Sequence, residues 1–316
     1  MSYADVHAVP DTGGVIVNQT HLTPNGIPLL RQHLAAAEKK TGVPVLVGTD
    51  QEGGAVNRLK NFPPAQAFKF PSPKEMQSMS NEAIAMEGAK VGRLLLLAGV
   101  NVLLAPVLDA ADPKTLMYEQ GRSFGVNPAD VTERARQWIT GVRQENPQLV
   151  VIGKHFPGYN VPGNSDNTEV FDAETLPQEQ ARSQPFFNTP GLDGVMVNSI
   201  QYKAIDPSGP ACFSKMIVGQ WRARFQDGLI MTDDIAAKGL SISGTARSNA
   251  GRAFSAGADM LLTLDNAKLA EAEQGIADAL ADPSVSPEER AARQSQLDAS
   301  VARVVSLALR TRPASV

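Results

Sequence analysis

The sequence predicts an α/β protein and, within that class, a TIM-type (β/α)8 barrel that forms a single domain over residues 1–316. Three observations lead to this fold. Short apolar, β-rich runs alternate with segments of helical periodicity. The runs begin 30 to 57 residues apart, which leaves room for a right-handed crossover helix between parallel strands. Polar or charged residues stand at the carboxyl end of almost every run.

Seven strands are predicted, and they lie at 13–18, 44–54, 101–110, 149–158, 194–199, 228–234 and 258–265. Helical periodicity appears between them at 28–40, 81–98, 128–144, 246–257 and 268–280. The longest gap has room for one more short element around 55–70. The stretch 286–309 reads as a final helical region that closes the barrel, with the letters SPEER as its capping start.

The choice between a barrel and an open sheet rests on the strand ends. These carry Asn18, Asp50, Asp109, Lys154 with His155, Asn198 and Asp233. A barrel gathers all such ends into one ring, whereas an open sheet gathers them only at its switch point. The glycine fingerprint of dinucleotide-binding sheets is also missing after the first strand. The barrel is therefore the favoured architecture.

Composition removes several classes of protein. With 42% hydrophobic residues, 5% aromatic residues and a net charge of -4, the chain is typical of a globular protein and indicates neither a nucleic acid nor a membrane partner. The single cysteine, Cys212, excludes an intramolecular disulfide and is read as a small buried residue. No apolar run approaches the roughly 20 residues of a membrane span, and the first residues lack a signal-peptide pattern, so a cytoplasmic location is expected.

Three motifs at strand ends can carry chemistry. Asp233 and Asp234 follow an apolar strand, where the first could be a nucleophile or base, or one of the pair could cap the next helix. Lys154 and His155 suit hydrogen bonding to a polyhydroxylated or anionic ligand, although one of two adjacent strand residues could be structural. Asp50 precedes a glycine pair and is either a site carboxylate or the brace of an Asx turn.

The segments VGTDQEGGAVNRL, NVLLAPVLDA, GRSFG, GKHFPG and IMTDDIAAKGL, in this order, resemble glycoside hydrolase family 3, and within it the single-domain β-N-acetylglucosaminidases of bacterial cell-wall recycling. The likeness covers about residues 13–310. It implies that Asp50, Arg122, Lys154 and His155 hold the sugar. Arg58 matches a further arginine of the family, although Ala55 stands where another arginine is expected.

The resemblance also implies that the first Asp of TDD, Asp233, attacks the anomeric carbon and that configuration is retained. A retaining enzyme needs a second group that protonates the leaving oxygen. The family uses the histidine of an Asp-Ser-His loop, but this loop has no histidine here, and Asn167 cannot exchange a proton near neutral pH. Asp166 and Glu169 are the carboxyl candidates for the acid, and their simpler interpretation is as solvated loop residues.

Because the histidine of the acid/base loop is absent, the sequence leaves three functions open. The protein is a retaining glycosidase for a β-linked N-acetylglucosamine-type sugar with a non-standard or absent acid/base, or a barrel recruited to an unusual glycoside in specialised metabolism, or a catalytically impaired sugar-binding protein. The retained Asp233 ranks the first two above the third. The expected partner is a small-molecule or oligosaccharide substrate that contains an amino sugar. No cofactor and no metal are implied.

Overall fold

The computed structural model describes residues 12–312 and, at the amino end, the backbone of a short strand at Ser2–Tyr3. Residues 1, 4–11 and 313–316, which belong to the predicted 1–316 domain, lie outside the described part. Eight parallel strands form the main sheet, in the order β1-β2-β3-β4-β5-β7-β9-β10. These strands are β1 (Ser2–Tyr3), β2 (Gly14–Ile16), β3 (Leu46–Thr49), β4 (Val102–Leu103), β5 (Val150–Phe156), β7 (Gly194–Val197), β9 (Leu229–Asp234) and β10 (Met260–Leu262).

Helices separate the strands, and two further short strands, β6 (Phe171–Asp172) and β8 (Gln201–Tyr202), pair with each other outside the main sheet. The helices are α1 (Gly26–Thr41), α2 (Pro73–Met76), α3 (Asn81–Ala98), α4 (Leu116–Glu119), α5 (Pro128–Glu145), α6 (Leu176–Asn188), α7 (Lys215–Arg224), α8 (Ala246–Ala256), α9 (Leu269–Ala281) and α10 (Pro287–Arg310). None of the helices within the described ranges has the length and apolarity that a bilayer crossing needs.

All seven predicted strands are confirmed, although most are shorter than the apolar runs that predict them. The run 101–110 forms a strand only at Val102–Leu103, because Pro106 has no N–H to donate to a continuous ladder. Pairing resumes beyond it as a single parallel bridge between Val107 and Lys154. The short element expected around 55–70 is a single turn of 3-10 helix at Pro63–Ala65.

The curvature of the sheet is visible in its interior core. Buried side chains from the second strand to the last meet in one cluster, which contains Ile16, Leu46, Val102, Leu104, Val150, Ile152, Met196, Leu229, Met231, Met260 and Leu262. The second and the last strand contribute to the same cluster, which requires the sheet to curl as in the predicted barrel. Ala308 and Leu307 of α10 pack against this cluster, as expected for a closing helix.

A larger apolar layer lies between the sheet and the surrounding helices, with Trp138, Phe156, Phe186 and Trp221 among its largest buried side chains. Cys212 is also fully buried there, as predicted, and burial raises the pKa of its thiol. The two layers hold the strands rigidly. The loops at the carboxyl ends of the strands are therefore the part of the barrel that is available for chemistry.

Candidate active site

A polar cavity of about 210 Å³ opens at the carboxyl ends of the strands. Seven of the eight residues that the sequence singles out line it, namely Asp50, Arg58, Arg122, Lys154, His155, Asp166 and Asp233. The eighth, Glu169, is not among the lining residues. The strand-end reasoning thus brings together side chains that lie up to 183 positions apart in the chain.

The centre of the cavity is an ion cluster around Glu52, a residue that the sequence analysis does not single out. Arg122 binds Glu52 in a bidentate manner: its Nε and Nη2 each donate a hydrogen bond of 2.8 Å to a carboxylate oxygen of Glu52. Lys154 Nζ lies 2.7 Å from Glu52 and 2.6 Å from Asp50. Asp50 therefore pairs with a lysine across the cavity and is not the brace of an Asx turn.

Charge decides the protonation states in this cluster. Burial alone would raise the pKa of Glu52, but the charges of Arg122 and Lys154, together with their hydrogen bonds, hold it well below its usual range. Burial likewise opposes the charge on Lys154, and the carboxylates of Asp50 and Glu52 overcome it and raise the pKa of the ammonium group. The cavity floor thus carries fixed charges of both signs, which suits the hydroxyl and amide groups of a sugar.

His155 is held in one orientation by Asp109, which is fully buried. Asp109 Oδ2 lies 2.7 Å from His155 Nδ1, and Asp109 Oδ1 accepts hydrogen bonds from the backbone N–H groups of His155 and Tyr159. Arg122 Nη2 lies 3.3 Å from the other ring nitrogen, Nε2. Because a guanidinium only donates, Nε2 accepts, and Nδ1 carries the ring proton and donates it to Asp109. Both ring nitrogens are thereby engaged.

Lys154 and His155 both line the cavity, so neither side chain is turned away from it. The pairing of β5 with β7 changes register between Lys154 and Phe156. Such an irregularity re-aims side chains that would otherwise alternate between the two faces of a strand.

The two aspartates at the end of β9, Asp233 and Asp234, make different contacts. Asp233 lines the cavity, while Asp234 Oδ1 accepts hydrogen bonds from the backbone of Ala236 at 3.0 Å and of Leu264 at 3.3 Å. Asp234 therefore braces the turn after the strand, and burial raises its pKa to about 6. The helix cap that the sequence left open for one of the pair is not formed, because the next helical turn, Lys238–Leu240, has Ala237 at its N-cap, while Asp233 faces the cavity.

The loop after β5 carries Asp166 to the cavity and is held in place from two sides. Tyr159 Oη donates a hydrogen bond to the carbonyl of Gly163 and accepts one from the Ser165 N–H, each at 2.8 Å. On the other side, the loop backbone lies against Gly239, where an added Cβ would stand 2.0 Å from the Ser165 carbonyl oxygen. The Lys238 N–H also donates to the Asp166 carbonyl at 3.0 Å. Only glycine permits this approach.

Asp166 is placed where it can hold a proton. Asp166 is an exposed residue that lines the cavity. Partial loss of water around its carboxyl group, followed by the negative charge of Asp233, raises its pKa, although the charges of Arg122 and Lys154 oppose the shift. Asp166 and Asp233 line the same cavity. A pair of carboxyl groups with one pKa raised is the arrangement on which acid and nucleophile roles depend.

Two residues that sequence reasoning missed as site residues are Glu52, which positions Arg122, and Asp109, which positions His155. A signal for Glu52 is present, because it stands two residues after Asp50 in the letters TDQEGG. Asp109 is visible as a strand end, but its role depends on a contact with a residue 46 positions away.

Carboxylates and cations lie together at the carboxyl ends of the parallel strands. This is where enzymes with a barrel of this kind have their active sites, so the fold and the site indicate a barrel enzyme. Comparison with known proteins gives the family. The family model for the glycosyl hydrolase family 3 N terminal domain matches residues 5–307, and the chain belongs to this family. It is a glycosidase of the β-hexosaminidase type.

The relatives cover most of the chain. A β-hexosaminidase from Idiomarina loihiensis is 32% identical over 249 residues, which span 75% of this chain and 71% of the relative. A β-hexosaminidase from Methylococcus capsulatus is 30% identical over 88% of this chain and 82% of its own length. The crystal structure of a β-N-acetylhexosaminidase from Beutenbergia cavernae superposes with a TM-score of 0.80 at 27% identity, covering 96% of this chain and 94% of that one.

Proposed function

We propose that the protein hydrolyses β-linked N-acetylhexosaminides with retention of configuration, with Asp233 as the nucleophile and Asp166 as the acid/base. The observation that carries the proposal is that these two carboxyl groups line one cavity, with the pKa of Asp166 raised, beside the ion cluster of Asp50, Glu52 and Lys154. The names of the β-hexosaminidase relatives support the choice of sugar.

The reaction has two steps. In the first, an Asp233 oxygen attacks the anomeric carbon while the bond to the leaving oxygen breaks, and Asp166 gives its proton to that oxygen. A glycosyl ester of Asp233 and a free alcohol result. In the second step, the Asp166 carboxylate takes a proton from water, the water oxygen attacks the anomeric carbon, and Asp233 leaves as a carboxylate. Asp166 is then protonated again, and the protons balance.

The remaining cavity residues hold the sugar. Lys154 and Arg122 are fixed by their carboxylate partners, so their remaining N–H groups are oriented toward the cavity before substrate binds. Arg58 also lines the cavity, and its guanidinium has no ion-pair partner within the described residues. It is therefore the cation that is available to a polar substituent of the substrate.

His155 is not the proton donor in this scheme. One ring nitrogen contacts Asp109 and the other contacts Arg122, so no ring nitrogen is directed at a leaving group. Its place is to orient Arg122 and to form part of the cavity wall that faces the sugar. The proton must come from the loop between Tyr159 and Glu169, where Asp166 lines the cavity and Glu169 does not.

The test follows the intermediate and the product. With 2,4-dinitrophenyl β-N-acetylglucosaminide, whose leaving group needs no proton, Asp166→Asn should accumulate the glycosyl ester, and peptide mass spectrometry should find the added sugar on Asp233. Proton NMR of the wild-type reaction should show the β anomer first. Asp233→Asn provides the matched control, in which no ester and no turnover are expected.

An α anomer as the first product would refute Asp233 as a nucleophile, and a sugar found on another residue would move that role. Absence of turnover by the wild type with both activated and ordinary N-acetylglucosaminides would favour the sugar-binding function or an unusual glycoside. Calorimetric binding of N-acetylglucosamine separates those two outcomes, because only the first requires affinity for this sugar.

A further inference from the structure

A second group of acidic side chains lies outside the catalytic cavity. It comprises Asp172 at the end of β6, Glu174 in the following loop and Glu179 in the first turns of α6. One carboxylate oxygen of each residue lies within 4.8 Å of those of the other two. Asp172 and Glu179 are each only 1% exposed, so two of the three carboxyl groups are shielded from water.

Positive charge is scarce around this acidic cluster. Arg182 contacts Glu174 at 3.0 Å and also pairs with Asp112. Within the described residues no other ion pair reaches the cluster, so Asp112 and the three cluster carboxyl groups share one guanidinium. An arrangement of this kind is costly unless a further positive charge is supplied.

Two oxygen atoms of the acidic cluster have no hydrogen-bond partner among the described residues. They are Asp172 Oδ2 and Glu179 Oε1, and both belong to side chains that are almost fully buried. The other Asp172 oxygen is used, because it accepts a hydrogen bond from the Glu174 N–H at 2.7 Å. The two side chains lie within hydrogen-bond reach of each other, so a proton or a cation must lie between these oxygens.

We propose that Asp172, Glu174 and Glu179 form a binding site for a divalent cation, of which Ca²⁺ is the best match. Carboxylate oxygen is the donor that Ca²⁺, Mg²⁺ and Mn²⁺ prefer. Ligands on opposite sides of Ca²⁺ stand about 4.6–5.2 Å apart, while those of Mg²⁺ stand about 4.0–4.2 Å apart. The three carboxylate oxygens lie within 4.8 Å of one another, which is compatible with the ligand spacing around Ca²⁺. Glu174 is partly exposed, which provides a path for the ion and its waters.

The acidic cluster adjoins the segment that carries Asp166. Asn160, at the start of that segment, donates a hydrogen bond to Glu174 Oε1 at 2.9 Å and accepts one from the Asp112 N–H at 2.8 Å. Asp172 stands at the other end of the segment. A cation held by Asp172 and Glu174 would therefore tie together the two ends of the loop that reaches the catalytic cavity.

A proton could take the place of the cation. Burial, followed by the charges of Asp172 and Glu174, raises the pKa of Glu179 to about 9, and a protonated Glu179 can donate to Asp172. The two occupants are distinguished by their dependence on added metal. A shared proton needs none, whereas a cation site stabilises the fold by an amount that grows with the logarithm of the free metal concentration once this exceeds the Kd.

The experiment uses chelator-treated full-length protein and CaCl₂ alone, with MgCl₂ as the comparison. Isothermal titration calorimetry should show one Ca²⁺ site with a Kd below about 1 mM, and the thermal midpoint Tm should rise with Ca²⁺ and less with Mg²⁺. Glu179→Gln keeps the size of the side chain and should weaken Ca²⁺ binding at least about tenfold. Glu273→Gln, which removes an exposed carboxylate of α9, should leave the Ca²⁺ affinity unchanged.

Asp172→Asn serves as the second variant if Glu179→Gln does not fold, with the same loss of affinity expected. Absence of heat and of a Tm shift in the wild type at millimolar Ca²⁺ would overturn the proposal in favour of the shared proton. Equal Ca²⁺ affinity in the wild type and in the folded cluster variants would overturn it as well, because the ion would then bind elsewhere. Both readouts are independent of glycosidase activity.

Discussion

The substitution Glu52→Gln probes the ion cluster that holds Arg122 and Lys154. The Glu52 side chain is 1% exposed and its partner Arg122 17% exposed, and Lys154, at 3%, shares the same carboxylate. The change removes the charge that compensates two buried cations while keeping the size of the side chain. Removal of one partner of a buried ion pair costs about 3–5 kcal/mol, and we expect the free energy of unfolding to fall by this amount.

A surface pair of the same geometry provides the control. Arg136 contacts Glu133 through Nε and Nη2 at 2.9 and 2.7 Å, but these side chains are 42% and 43% exposed. For such an exposed pair Glu133→Gln should cost less than about 1 kcal/mol. Urea unfolding followed by the fluorescence of Trp138 and Trp221, both buried, measures the two losses. Equal losses in the two variants would refute the assignment of Glu52 as the centre of the cluster.

The pKa of Glu52 determines how the difference in unfolding free energy between the wild type and Glu52→Gln changes with pH. The pKa of Glu52 in the folded protein is held well below 4.5, its usual value, by the charges of Arg122 and Lys154, which overcome the opposing effect of burial. The stabilisation is therefore complete above pH 4.5 and is lost as the pH falls through the lowered pKa. The difference between wild type and Glu52→Gln should be constant near neutrality and shrink in acid.

Three further outcomes test the cavity and its loop. Gly239→Ala should slow the hydrolysis of substrates with poor leaving groups, because the new Cβ would stand 2.0 Å from the Ser165 carbonyl oxygen and displace the loop. Unchanged rates would show that the close contact between Gly239 and the loop is not required. The raised pKa of Asp166 places the alkaline limb of the pH–kcat/KM profile for such substrates above the usual range of an aspartate, since the acid must be protonated, and the limb should vanish in Asp166→Asn. Lys154→Ala should raise the dissociation constant for N-acetylglucosamine by tenfold or more, on the order of 1.4 kcal/mol, and equal affinity by calorimetry would exclude its sugar contact.

The barrel could be predicted because each of its strands is an apolar run with a polar end. The two-residue strands β6 and β8 gave no such signal, since two residues do not show a periodicity. Strand ends were also overestimated, as at 101–110, because apolar residues continue past Val102–Leu103 into a buried segment that is not hydrogen-bonded as a strand.

The site was predictable where it depends on strand ends and on family motifs, and not where it depends on long-range contacts. Glu52 meets Arg122 from 70 positions away, and nothing local in the sequence reports that contact. The sequence alone could not choose between Asp166 and Glu169, which stand three positions apart in one polar loop. The path of that loop, set by Tyr159 and Gly239, brings Asp166 and not Glu169 to the cavity.

The central claim, that Asp166 supplies the proton, is tested most directly by the dependence of kcat/KM on the leaving group. Phenyl and 2,4-dinitrophenyl β-N-acetylglucosaminides are compared in the wild type, Asp166→Asn and Glu169→Gln. We predict that Asp166→Asn loses about 100- to 10,000-fold with the phenyl substrate and little with the dinitrophenyl one, while Glu169→Gln follows the wild type. If Asp166→Asn keeps its activity on the phenyl substrate, or Glu169→Gln shows the selective loss, Asp166 is not the acid.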